Sequence, residues 1–252
     1  MKVLIIGDSC QDVFVYGDCK RICPEAPVPV FNPVYTIKND GMAGNVTKNL
    51  ESLGANVELI TNTSQMNKTR FVEKNSNQML VRVDDTDVVE ALREKDLEKI
   101  NWDKYDAVII SDYDKGFLSP AIIRSIATKH PLTFLDTKKQ LGDWAENVTF
   151  IKINSDEYEK TKHSLSMSME DNLIVTMGGE GCRYKGEVYP TKKVEVQDVS
   201  GAGDTFLAGL VYTYLEGEVS PEVKGSIGLA IQTANMYASK VVQSRGVSIV
   251  KK

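Results

Sequence analysis

Cysteine is scarce in this chain, with four residues in 252 at Cys10, Cys19, Cys23 and Cys182, too few for a disulfide framework. Cys19 and Cys23 stand four apart, but the two histidines, His130 and His163, lie far along the chain. No zinc site is expected, and free thiols in a reducing compartment are. Proline is low at 8 and glycine ordinary at 18, which excludes collagen-like and low-complexity chains. A basic surplus is also missing: 30 Lys and Arg face 35 Asp and Glu, for a net charge of −5. Phosphate-backbone binders carry the opposite balance, so no nucleic-acid partner is expected, although a local patch could hold one small anion. Long apolar runs are absent. The opening Met1–Ile6 run meets Gly7-Asp8 too early for an export signal, and Phe206–Leu215 has half the length of a membrane span. The expectation is a cytoplasmic protein with no membrane partner.

What is there is an ordinary globular composition, 42% apolar and 26% charged, enough for one large domain or two small ones. Lys2–Ile6 reads as a buried first strand. Val13–Tyr16, Val28–Phe31, Thr69–Glu73 and Met79–Val83 read as short strands, the last two joined by a hairpin at 73–77. Gly41–Leu53 has helical spacing and a stop at Gly54. Strands are then predicted at Val57–Thr61, Ala107–Ser111, Leu132–Asp136, Val148–Lys152 and Leu173–Met177, and helices from Ser119-Pro120 and over Gly203–Leu215 and Gly225–Ser239. Strands without period-two alternation, separated by helices, imply a parallel sheet covered on both faces, with the early hairpins as a small β appendage. Asp8, Asp112, Asp136, Asn154 and Gly178 then fall just after strands, on the rim where such sheets bind ligands.

The most informative segment is Asp198-Val199-Ser200-Gly201-Ala202-Gly203-Asp204-Thr205. A small-residue loop running into a helix lets backbone N–H groups converge where the helix dipole is positive, which makes an anion hole. Asp204, in the first turn, is placed to take a proton from a hydroxyl while those amides stabilise a transferring phosphoryl group. The same residues also suit a plain capped turn. No Gly-x-x-x-x-Gly-Lys-Ser/Thr or post-strand Gly-x-Gly-x-x-Gly occurs, so the P-loop is absent and a dinucleotide fold disfavoured.

Asp198–Asp204 resembles the C-terminal signature of the ribokinase-like (PfkB) carbohydrate kinases, and Gly41-Met42-Ala43-Gly44-Asn45 resembles their N-terminal glycine signature. Within that family, Gly7-Asp8…Asp12, residues 22–30 and 77–84, Ser111-Asp112-Tyr113-Asp114-Lys115-Gly116 and 198–205 are similar to the bacterial heptose 7-phosphate kinases. The resemblance covers almost the whole chain. It implies an α/β fold, a ribokinase-like three-layer sandwich with a mostly parallel central sheet and a small β-sheet lid. Residues 1–252 would form one kinase domain, with the lid at about 13–35 and 68–84.

By the same resemblance Asp204 is the catalytic base, with Gly201, Ala202 and Gly203 as the anion hole. Asn154 and Glu157 resemble the Asn-x-x-Glu element that places Mg²⁺ through water. Thr176, Gly178, Gly181 and Asn235 resemble residues lining the ATP site. Asp8, Asp12, Gly41 and Asn45 fall on the sugar side, and Lys74, Arg82 and Lys115 are candidate cations for a substrate phosphate. ATP and Mg²⁺ are the implied cofactors, with a monovalent cation such as K⁺ as a further candidate. A sugar or sugar phosphate is the implied partner, and a homodimer through the lid is implied by its apolar residues Phe14, Tyr16, Val30 and Phe31.

Two features depart from the family pattern. After Thr63 the chain passes almost directly to the lid, as if a turn, helix and edge strand were deleted, and Met42 replaces a glycine, which would narrow the sugar pocket or shift the backbone. The implied reaction is ATP-dependent phosphorylation of heptose 7-phosphate to the 1,7-bisphosphate. A kinase for another sugar or a nucleoside, and a non-catalytic binding protein of the same fold, stay open.

Overall fold

Residues Lys2–Gly7 (β1) are apolar at each position that a sheet buried on both faces requires. Val3 and Ile5 pack into one core and Leu4 and Ile6 into the other. The computed structural model describes residues 1–85, 88–219, 226–244 and 246–251.

Along the chain follow Ser9–Asp18 (β2), Asn32–Met42 (β3), the helix Ala43–Leu53 (α1), Asn56–Ile60 (β4), Asn67–Glu73 (β5), Met79–Asp84 (β6) and the short helix Glu94–Leu97 (α2). Next come Ala107–Asp112 (β7), Pro120–Lys129 (α3), Thr133–Thr137 (β8), Phe150–Asn154 (β9), Ser155–Thr161 (α4) and Met167–Asn172 (α5). Leu173–Thr176 (β10), Cys182–Tyr184 (β11), Glu187–Tyr189 (β12), Ala202–Val219 (α6) and Ile227–Val241 (α7) complete the order.

The large sheet runs β12-β11-β10-β9-β8-β7-β1-β4. Its β4-to-β10 portion is parallel, and β11 and β12 are added antiparallel. Helices α1, α6 and α7 cover one face; Leu97, the Ile122, Ile123 and Ile126 stripe of α3, and Met169 of α5 cover the other. Each large side chain buried in these layers stabilises the fold by roughly 1.5–3 kcal/mol. The parallel strands end on one rim, where the loops carrying Asp8, Tyr113, Lys138, Asn154 and Gly178 gather.

A second sheet has the order β3-β2-β5-β6, with β2 and β5 parallel and the outer pairs antiparallel. It is the expected appendage, with different bounds. Val28–Phe31 is not a strand: it contributes one bridge, Ile22 to Pro29, and the long strand is β3. Gly41 and Met42 end that strand, so α1 starts two residues later than expected and stops at Gly54 as predicted. Strand β9 begins two residues beyond the expected Val148. The last helix begins at Ile227 behind the cap of Ser226; Gly225, expected within it, lies outside the described residues. No described helix is long and apolar enough to cross a membrane, and no group of three or more metal-binding side chains occurs among the described residues.

Two of the residues expected at a lid interface make contacts within the lid itself. Phe14 is buried, with the Arg70 guanidinium over its ring, and Phe31 packs edge-on against Phe71. The exposed apolar residues of this sheet are Val34, Tyr35 and Ile37 on β3 and Met79, Val81 and Val83 on β6.

Candidate active site

Helix α6 opens from Gly201, whose φ of +79° suits a residue without Cβ; a Cβ there would lie 2.7 Å from Asn45 Nδ2. That close approach joins α1 to the mouth of α6. Asn45 donates from Nδ2 to Asp204 Oδ2 at 2.8 Å, and the Tyr113 phenol donates to Asp204 Oδ1 at 2.5 Å. Ala202 N–H is committed to Val199 O at 3.2 Å. Of the three N–H groups expected in an anion hole, that of Ala202 is thus engaged, while among the described residues those of Gly201 and Gly203, and that of Asp204, stand at the mouth without a protein acceptor.

Asp204 is 4% exposed. Burial raises its pKa from the ordinary carboxylate value to about 6, against the lowering by the Tyr113 and Asn45 hydrogen bonds. It borders a cavity of about 300 Å³ together with Tyr113, Asp136, Lys138, Lys152, Asn154, Thr176, Gly178, Gly201 and Gly203. A second cavity of about 510 Å³ shares Thr176, Gly178 and Gly203 with the first, so the two meet. Its walls include Val194, Val196, Val199, Val242 and Asn235, an apolar slot with few polar groups.

The cations of the smaller cavity were not those expected. Lys152, in the middle of β9, is buried and pairs with Asp136 at 2.8 Å. Its Nζ lies 3.0 Å from where a Cβ on Gly203 would stand. Lys138 bonds Glu157 Oε1 at 2.6 Å. Burial alone would lower the pKa of Lys138, but Asp136 and Glu157 outweigh it and the net shift is upward, so the ammonium stays charged. Lys74 is instead tied to Asp18 and Arg82 to Asp84, both at the lid, and neither borders the cavities; nor does Lys115. A lysine inside a buried strand was the signal that sequence reading passed over, because such a residue needs an anionic partner.

Other expected residues divide in the same way. Thr176, Gly178, Gly181 and Asn235 line the larger cavity; Asn235 also donates to Tyr189 O at 2.8 Å. Asn154 and Glu157 form a capping box at the start of α4, Asn154 Oδ1 accepting from Glu157 N–H and Glu157 Oε2 from Asn154 N–H. Asp12 accepts from Arg70 at 2.5 Å and is opposite Lys68 in the strand register, while Gly41 is opposite Cys10. Asp8 is fully buried and accepts from Tyr113 N–H at 2.7 Å. It fastens the loop after β7 and borders neither cavity. Met42, too, packs in the core and stands outside both cavities.

With this geometry in place, the sequence pattern of "pfkB family carbohydrate kinase" matches residues 123–252. The chain belongs to the pfkB family of carbohydrate kinases. The match spans β8 to α7 and contains Asp204. Two similar curated proteins of this pfkB-family chain are both named Bifunctional protein HldE. The one from a Nitratiruptor species is 31% identical over 295 residues, covering 97% of this chain and 62% of its own length. The one from Helicobacter pylori is 31% identical, covering 97% and 63%. The chain thus spans less than two thirds of these relatives. The first alignment is longer than the chain itself, so the relative holds inserted residues that this chain lacks. That agrees with the short connection after Thr63 and with β4 as the edge of the large sheet.

Among solved structures, the fold matches a Methanocaldococcus jannaschii nucleoside kinase of the ribokinase family, with a TM-score of 0.71, 19% identity and coverage of 99% and 94%. It also matches phosphofructokinase-2 from Escherichia coli in complex with potassium, with a TM-score of 0.72, 12% identity and the same coverage. The three-layer α/β fold is therefore ribokinase-like.

Proposed function

We propose that the chain transfers the terminal phosphoryl group of ATP to a hydroxyl of a sugar phosphate, with D-glycero-D-manno-heptose 7-phosphate as acceptor and the 1,7-bisphosphate as product. One observation carries the reading. A buried carboxylate, Asp204, stands beside free helix-mouth N–H groups in a cation-lined cavity that opens into an apolar slot. The slot suits a purine and ribose, and the shared rim of Thr176, Gly178 and Gly203 suits the phosphates running toward Asp204. The choice of heptose 7-phosphate rests on the segments similar to heptose 7-phosphate kinases and on the likeness to the HldE proteins.

In this reading Asp204 accepts the proton as the sugar oxygen attacks, a new P–O bond forms, and the bond to the ADP oxygen breaks. Gly203 and Asp204 N–H groups, with the Lys152 and Lys138 ammoniums, face the charge of the migrating group. Asn45, which bonds the base, and Asp12, whose carboxylate lies beside Gly41, would take the sugar side. The oxygen-only donor set of Asn154 and Glu157 fits a hard divalent cation, and the capping box leaves one lone pair on each oxygen for the ion's water shell. Mg²⁺ held there would neutralise phosphate charge. The second sheet serves as a lid that keeps water from the phosphoryl group, and the exposed Val81 and Val83 on its outer face serve as a homodimer contact.

Replacement of Asp204 by Asn tests the reading. In assays of the full chain with Mg·ATP and heptose 7-phosphate, kcat falls by about 10³-fold or more while nucleotide binding persists. The acid limb of kcat/KM for the unaltered protein has its midpoint near the Asp204 value of about 6, so activity is lost as pH falls below it. Near-full activity of the variant removes Asp204 as base. Turnover of fructose, ribose or nucleosides in preference to the heptose moves the substrate assignment to another sugar.

A further inference from the structure

Asp204 is held from two elements at once. Asn45 comes from α1, inside the glycine signature; Tyr113 comes from the loop after β7, where the phosphoryl-transfer argument needs no aromatic residue. Two ammonium groups lie over the Tyr113 ring, Lys68 of lid strand β5 at 5.7 Å from the centroid and Lys138 at 5.3 Å. Its backbone N–H is bonded by the buried Asp8. Loop, ring and hydroxyl are therefore all fixed, and the hydroxyl is fixed on the carboxylate.

We propose that Tyr113 is a positioning residue for this reaction: its O–H locks the orientation of the Asp204 carboxylate and keeps that carboxylate ionised within a buried cavity. The inference rests on the reading of Asp204 as base. A carboxylate offers about four acceptor sites. One donor on each oxygen leaves room for a substrate hydroxyl, so the hold and the proton transfer are compatible. The phenol is the donor because burial and the nearby Asp204 and Asp136 charges push its own pKa well above the ordinary value. The groups facing the pair are Asp136 of β8, Lys138 after it, Lys152 of β9, Cys10 of β2, Lys68 of β5 and Asn45 of α1. Asp136 opposes ionisation of Asp204 and Lys152 favours it. Cys10, which burial pushes up to about 12, stays a neutral thiol throughout the working range. The Tyr113 hydrogen bond is the largest influence holding Asp204 down against burial.

Tyr113→Phe keeps the ring and its cation contacts and removes only the donor. The first readout needs no ligand: the full chain is labelled with ¹³C at aspartate carboxyls, and the Asp204 resonance is assigned by its loss in Asp204→Asn. Its midpoint rises by about half a unit or more in Tyr113→Phe. Tyr113→Leu, which also drops the ring, moves it the same way and serves if the phenylalanine variant folds poorly. Tyr105→Phe, which removes a phenol bonded to Glu58 far from the cavities, leaves it in place. With Mg·ATP and heptose 7-phosphate, the acid limb of kcat/KM moves up in step, and kcat falls about tenfold at unchanged KM for ATP. An Asp204 midpoint that stays put in both Tyr113 variants overturns the proposal, even if turnover is normal and the kinase reading stands. A shifted midpoint in a protein that phosphorylates no sugar keeps the Tyr113 hold and sinks the kinase reading instead.

Discussion

Met42 sits at φ +58° and ψ −129°, a backbone region that costs a side-chain-bearing residue about 1–3 kcal/mol, yet its side chain is 3% exposed in the core. The strain is tolerated because the methionine side chain belongs to the core that holds Leu4 and Ile6 of β1, and removing such a side chain costs about 2–5 kcal/mol. Alanine and glycine lose the same packing but differ in backbone freedom. Met42→Gly is therefore expected to melt above Met42→Ala, the reverse of the usual order, with both below the unaltered protein in thermal unfolding. Equal midpoints for the two variants remove the strain argument. Asp204 offers a second residue-scale prediction. Its folded pKa is raised to about 6, so the folded protein binds that proton more tightly than the unfolded chain. The associated stability is full below the unfolded value near 3.8 and is lost as pH rises through about 6. The melting temperature of Asp204→Asn relative to the unaltered protein should accordingly climb between pH 4 and 7. A difference that is flat with pH contradicts the raised pKa.

At the scale of elements, what could be read in advance follows the strength of local signals. The strands β1, β7, β8 and β10 are short β-branched or apolar runs with turn residues behind them, and Ser119 caps α3 as its position before Pro120 implies. Ser119→Ala should lower stability by about 1 kcal/mol in denaturant unfolding, since the Ile122 N–H it satisfies loses its partner. No change would mean the cap is idle. The long β3 was unreadable because Asn32-Pro33 and the polar run Lys38-Asn39-Asp40 look like loop; they are strand because β2 supplies their hydrogen bonds. In the site, the glycine loop, Asp204 and Asn45 were legible as contiguous motifs. Tyr113 lay in the 111–116 motif with no role to be read from it, and Lys138, Lys152 and Arg70 gave no local signal, since these roles arise from loops and strands brought together only by the sheet order.

For the whole molecule, the lid's outer apolar residues and its inner ionic face set different tasks. Asp12, Lys68, Arg70, Arg82 and Asp84 share cross-strand rows on the face bearing Lys68 over Tyr113, whereas Val81 and Val83 point to the opposite face. If two lids pair through the latter, Val81→Glu with Val83→Glu should shift the sedimenting species from dimer to monomer while Asp204 keeps its hydrogen bonds. A chain that is monomeric before substitution rejects the pairing.

The Asn45–Asp204 contact bridges 159 positions of sequence. During synthesis, then, α1 emerges long before the carboxylate it binds, and an interrupted translation product ending ahead of α6 holds every described strand yet leaves Asn45 without Asp204. The cavity around Asp204 is therefore completed in a single late docking event, once α6 has been made and has packed against α1.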